Sequence, residues 1–231
     1  MRNLVLLPGF MLNHHLWDDV QPDLEALGAL HFGDLGQEIG IRALAASVLR
    51  NAPERFVLFG FSMGGFVAQA MALMAPERVA GLALLNTSSR PQTERESAGT
   101  LAQIELAQRT PFKGLTSRAL ASSLHPARSG ERALLERLQA MALANGKEVF
   151  LRQLQTLRDS DAESLQQLRC PVLIVSSDQD KLRSVEESEE MARQIPQSRL
   201  EIIRDCGHMT PMEKPQELAA LIHDWMAQSA L

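Results

Sequence analysis

Gly60-Phe61-Ser62-Met63-Gly64, with Gly65 next, is the segment of this sequence best suited to covalent chemistry. A serine lifted into solvent on a sharp turn between a strand and a helix needs a strained backbone, and it needs little bulk two residues to either side. The glycines at 60 and 64 meet the second need. The helix that follows points its positive end at the place where an oxyanion would form. Serine is a poor nucleophile near neutral pH, so the reading demands a base and a carboxylate to orient that base. Downstream, Val172-Leu173-Ile174-Val175 runs into Ser176-Ser177-Asp178-Gln179-Asp180, and the apolar stretch at 200–203 runs into Asp205-Cys206-Gly207-His208. Each run thus delivers its polar residues just past a strand, the edge that carries the sites in open α/β sheets. The chain order is serine, aspartate, histidine, as expected with such an elbow. Both Asp178 and Asp180 fit the carboxylate position. The plain alternative is a tight turn with a surface serine, two turn aspartates and a structural loop histidine.

The elements that must hold these residues are visible as short apolar runs of strand length at 4–7, 56–59, 79–85, 172–175 and 200–203, with a weaker one at 30–32. Such runs are the mark of a parallel sheet buried on both faces. Stretches with helical spacing lie between them, at 17–27, 41–49, 64–74, 185–195 and 215–226. Strand and helix alternate, so the expected class is α/β, a mostly parallel sheet flanked by helices and joined by right-handed crossovers. The alternation stops between 90 and 169, where amphipathic stretches rich in Ala, Leu, Gln, Glu and Arg replace any clear strand. We expect a core of residues 1–89 and 170–231 with a helical cap inserted at 90–169. The insert carries a net charge of +3 and the remainder −8.

The whole chain of 231 residues has a net charge of −5 and is 45% hydrophobic, which favours a buried core and removes the electrostatic reason for nucleic acid as a partner. No apolar run reaches the ~18 residues of a membrane span. Arg2 and the apolar residues after it imitate the start of a signal peptide, but Pro8-Gly9 interrupts the run, and a buried strand in a cytoplasmic protein is the expectation. Two cysteines, Cys170 and Cys206, make no disulfide framework. They fall at opposite ends of parallel strands, beyond bonding reach, and Cys206 reads as a structural loop thiol rather than a nucleophile. His14, His15, His31, His125 and His223 lack a comparable context. Neither a dinucleotide fingerprint nor a P-loop is present.

The segments Leu6-Leu7-Pro8-Gly9-Phe10, Gly60 to Gly65, Ser177 to Asp180, and Cys206-Gly207-His208 followed by Pro211-Met212-Glu213-Lys214-Pro215 together resemble the α/β-hydrolases, and nearer still the compact bacterial carboxylesterases, enol-lactonases and meta-cleavage C–C hydrolases. Pro8 departs from the many relatives with histidine there. The resemblance implies a Ser62, Asp180, His208 triad, with registration on a Gly-x-x-Asp turn favouring Asp180 over Asp178. It implies an oxyanion hole built from the backbone N–H groups of Phe10 and Met63, with Phe10, Met63 and the Leu and Ala side chains of the cap lining an apolar pocket. The implied activity is hydrolysis of small-molecule carboxylic esters or lactones through an acyl-enzyme, with no metal or organic cofactor. C–C bond hydrolysis and thioester hydrolysis use a similar constellation, and a small-ligand receptor on the same scaffold is the reading from outside enzymology. The segment Asn86-Thr87-Ser88-Ser89-Arg90 resembles that of enol-lactonases, which makes Arg90 a candidate anchor for a substrate carboxylate.

Overall fold

The apolar runs become strands because each is buried on both sides, and the residues of one strand divide between two cores. A computed structural model describes residues 2–158 and 162–231. Its strands are β1 (Asn3–Leu7), β2 (Ala29–Phe32), β3 (Phe56–Phe61), β4 (Val79–Leu85), β5 (Val172–Ser177) and β6 (Ser198–Ile203). They form one parallel sheet in the order β2-β1-β3-β4-β5-β6. Leu4 and Leu6 face one core with Trp17, Phe59 and Trp225. Val5 and Leu7 face the other with Leu58, Phe66 and Met71, as a period of two requires. The edge strands β2 and β6 are mostly half-buried, which is why their apolar signal in the sequence is weaker.

The helices are α1 (Gln21–Glu25), α2 (Ile41–Asn51), α3 (Met63–Met74), α4 (Glu94–Arg109), α5 (Ser117–Ser122), α6 (Arg132–Gln155), α7 (Val185–Gln194), α8 (Thr210–Glu213) and α9 (Pro215–Gln228). One expectation is corrected. The stretch 17–27 is not a single helix but a 3-10 turn, His14–Trp17, followed by the short α1. Pro22 has no N–H to give and sits in the first turn of α1, so a helix cannot run through it from Trp17.

Between β4 and β5 the described residues form helices and no strand, with α4, α5 and α6 in succession. Residues 159–161, which fall inside the expected cap, lie outside the described residues. Helix α6 is broken at Gly146, whose φ of 76° is far from helical. The two ends of the insert meet at a neck, where the Gln92 N–H donates to the Arg158 carbonyl at 2.9 Å and Arg158 pairs with Glu96 at 2.6 Å. Burial alone would raise the Glu96 carboxyl, but the Thr93 amide and the Arg158 guanidinium hold it down to about 2. Its folded value lies below the ordinary 4.5, so its contribution is present above that pH and fades as pH falls toward about 2. Backbone hydrogen exchange at residues 92–97 should therefore quicken between pH 4.5 and 3 relative to the core strands, and Glu96→Gln should abolish that extra loss. Equal protection at both pH values would show that the neck does not depend on this pair.

Candidate active site

The strand order decides what is adjacent at the carboxyl edge. The chain moves from β1 outward to β2 and then back across to β3, so the crevice between β1 and β3 is a topological switch point. Leu7 pairs with Gly60. The loop after β1, with Phe10, is thereby a neighbour of the elbow after β3, with Ser62. At the other side Ser177 pairs with Ile203, which makes neighbours of the loops bearing Asp180 and His208.

Ser62 stands between the end of β3 and the start of α3 with φ 51° and ψ −114°, a strained conformation for a residue with a Cβ. The surroundings enforce it. The Ser62 N–H donates to the Leu85 carbonyl at 2.9 Å, and its carbonyl accepts from the Thr87 hydroxyl at 2.7 Å and the Gly65 N–H at 2.9 Å. A Cβ at position 60 would lie 2.6 Å from both the Gly64 carbonyl oxygen and the Ala68 Cβ, and one at 64 would lie 2.5 Å from the Pro8 carbonyl oxygen. Only glycine lets these segments pack so closely.

The structure brings Ser62, His208 and Asp180 into one hydrogen-bonded chain. His208 Nε2 is 2.9 Å from Ser62 Oγ, and Nδ1 is 2.7 Å from Asp180 Oδ2. The imidazole is 3% exposed and lies against the Phe61 ring. Both oxygens of Asp180 are committed: Oδ1 accepts from the N–H groups of Leu182 and Arg183, and Oδ2 accepts from Asn86 as well as facing the histidine. Burial pushes the Asp180 carboxyl up, but the histidine and these donors outweigh it and hold the group below its ordinary value. Asp178 is placed elsewhere, its Oδ1 accepting from the Cys206 N–H at 3.4 Å and its Oδ2 4.0 Å from Arg204. Cys206 is buried, which pushes its thiol up to about 11 and leaves little thiolate at neutral pH.

Three polar residues that the sequence reading does not assign complete the frame. Asn86, at φ 46° after β4, donates from Nδ2 to Ser177 Oγ and Asp180 Oδ2 and accepts at Oδ1 from the Thr210 hydroxyl at 2.6 Å. Ser177 and Thr210 share a further bond of 2.7 Å. The one available signal is position, since Asn86 and Ser177 each fall at a strand's carboxyl end. The insert also grips the histidine loop. The His208 N–H donates to the Ser123 carbonyl at 2.8 Å, and Glu213 accepts from the N–H groups of His125 at 2.7 Å and Met209 at 3.2 Å.

Phe10 lies in a turn over residues 9–12 closed by the Leu12 N–H on the Gly9 carbonyl at 3.2 Å. Met63 is the first residue of α3, where an amide has no acceptor within its own helix. The Phe10 ring meets Phe150 at 5.8 Å between centroids, and Phe150 meets Phe112 at 5.2 Å. Aromatic side chains of the insert, and not only its Leu and Ala, therefore adjoin the loop. Arg90 is engaged by a carboxylate of the protein itself. Its guanidinium binds Glu190 through Nε and Nη2, both at 2.7 Å, and the side chain is half exposed, so the fork suited to a substrate carboxylate is occupied. Among the described residues no cluster of three or more His, Cys, Asp or Glu could hold a metal ion, and no helix is long and apolar enough to cross a membrane.

A family model described as alpha/beta hydrolase fold matches residues 42–215, and the chain belongs to that family. Over 96% of its length the chain is 29% identical to a pimeloyl-[acyl-carrier protein] methyl ester esterase of Aromatoleum aromaticum, covering 97% of that protein. Among solved structures, a thermophilic esterase from Thermogutta terrifontis superposes with a TM-score of 0.88 at 27% identity, with 99% of this chain and 90% of the esterase covered. The enol-lactonase from Burkholderia xenovorans LB400 shares the fold with a TM-score of 0.84 at 17% identity, over 98% of this chain and 91% of its own.

Proposed function

We propose that this protein is a serine hydrolase of carboxylic esters, lactones included, acting through an acyl-enzyme. The observation that carries the reading is the unbroken chain from Ser62 Oγ through both ring nitrogens of His208 to Asp180. Ser62 Oγ attacks the carbonyl carbon while His208 Nε2 takes its proton. Asp180 holds the Nδ1–H tautomer and stabilises the imidazolium. The N–H groups of Phe10 and Met63 receive the charge that develops on the carbonyl oxygen. The tetrahedral intermediate collapses as His208 returns the proton to the leaving alkoxide, and the alcohol departs. Water, deprotonated by the same nitrogen, then releases the acid. The cycle needs no metal or organic cofactor. The protein acts in the cytoplasm on esters of small acyl groups, free or carried on a protein, with neither nucleic acid nor membrane as a partner.

Within ester hydrolysis, the methyl ester of a pimeloyl group on acyl carrier protein is the first substrate to try, because the relative of that name matches over nearly the full length of both chains. The test is chemical. A fluorophosphonate should attach one equivalent per chain, mapping to Ser62, and should abolish turnover of p-nitrophenyl acetate and butyrate. Attachment at Cys206, or turnover that persists in the labelled protein, would overturn the serine mechanism.

A further inference from the structure

Two backbone groups of the turn at residues 9–12 are met by side-chain amides from one helix of the insert. The Met11 N–H donates to Gln153 Oε1 at 2.8 Å, and the Leu12 carbonyl accepts from Asn145 Nδ2 at 3.0 Å. Gln153 is 4% exposed, and its Nε2 donates to the Leu35 carbonyl at 3.1 Å, so both ends of the amide are fixed. The two amides come from either side of the break at Gly146, and each segment of α6 presents one of them to the same turn.

The turn needs holding. Phe10 and Met11 occupy its central positions, and Met11 has φ 56°, a conformation a side-chain-bearing residue keeps only when its surroundings insist on it. The peptide joining these two residues has two orientations, which distinguish the main turn types, and a positive φ at the second central residue selects one of them. Gln153 accepts the N–H of that peptide. Pro8, which leads into the turn, brings neither a donor nor an acceptor side chain. The support therefore arrives from 142 residues further along the chain.

We infer that Gln153, assisted by Asn145, is a positioning residue for the oxyanion hole: it holds the turn so that the Phe10 N–H is aimed where charge develops. This rests on the proposed assignment of Phe10 as an oxyanion donor. A donor that acts only on the developing oxyanion contributes to the transition state and not to substrate binding, so its misplacement lowers kcat and leaves KM nearly unchanged.

The experiment compares Gln153→Met, Gln153→Glu, Asn145→Ala and Ser62→Ala on a p-nitrophenyl ester. Gln153→Met fills the same space without an acceptor and should lose roughly 10- to 100-fold in kcat, with KM within about twofold, as for a group moved by an ångström or so. Gln153→Glu keeps an oxygen for the Met11 N–H, and while its carboxyl is protonated it also keeps a donor for the Leu35 carbonyl, so it should recover part of the loss in that form. Affinity for a trifluoromethyl ketone, which adds to a serine as an anionic hemiketal, should fall in Gln153→Met by the same factor as kcat/KM. Asn145→Ala, at a half-buried position, should show the same pattern with a smaller factor, and it decides the matter if Gln153→Met fails to fold. A folded Gln153→Met with unchanged kcat and ketone affinity overturns the inference, even if its Tm falls. Turnover retained by Ser62→Ala would instead overturn the proposed reaction, so the two failures are distinguishable.

Discussion

Ser62→Ala, His208→Ala and Asp180→Asn are each expected to lower esterase kcat by roughly 10³-fold or more, and any two together by little more than the larger single loss. On the proposed mechanism no acyl-enzyme forms without Ser62. Without His208 the hydroxyl 2.9 Å away keeps its proton. In Asp180→Asn the Oδ2 acceptor that fixes Nδ1–H is replaced in part by a donor, which favours the wrong tautomer of an imidazole that is nearly inaccessible to water. Asp178→Asn is the control. That carboxylate touches the Cys206 amide and Arg204 and not the imidazole, so its replacement should leave kcat within a few-fold. Loss of activity in Asp178→Asn with retention in Asp180→Asn would reverse the assignment. Additive losses in the double variants would show that the three residues do not act as a unit.

Gly64→Ala is expected to be nearly as damaging, although it touches no reacting atom. The added methyl would lie 2.5 Å from the Pro8 carbonyl oxygen and 2.7 Å from that of Leu7. These are backbone atoms of β1 and of the loop after it, and β1 is paired on both sides in the sheet. Neither partner can turn aside as a side chain would, so the elbow and the Phe10 loop must part. Overpacking of this kind costs about 1–3 kcal/mol, or roughly 2–12 °C in Tm at this chain length. The larger effect is on rate, because an elbow pushed away from the loop separates the two N–H groups proposed to share one oxyanion. We expect kcat to fall by about 10²-fold. A variant with wild-type kcat would show that the β1 loop is not part of the reaction geometry.

The parts of this fold legible in the sequence are those decided by burial over a few consecutive residues. Strands β1, β3, β4 and β5 announce themselves because both of their faces are covered, and an apolar run has no polar interruption to obscure it. At the edges, β2 and β6 are mostly half-buried, and the signal thins accordingly. Helix α4 has no buried residue, so its periodicity says little about what it packs on. The site divides along the same line. Ser62 and His208 are marked by local context, a strand's end with glycines beside it. Asn86 and Gln153 are ordinary polar residues until the fold brings partners 91 to 142 positions away within hydrogen-bond distance. Glu190, which occupies the Arg90 guanidinium, is likewise 100 residues off and has no mark in the local sequence.

The grip of the insert on the histidine loop sets a boundary on how new specificities can arise in this protein. The Ser123 carbonyl and the His125 amide serve His208 and Glu213 directly, so the insert is also part of the frame that holds the histidine proposed as the base. Wholesale exchange of the insert for another helical module would remove fastenings that no donor module is obliged to carry. Diversification has to proceed through side chains that leave those two backbone groups in place, such as Phe112 and Phe150, whose rings meet each other and Phe10. The architecture thus admits change residue by residue and resists interchange of whole parts.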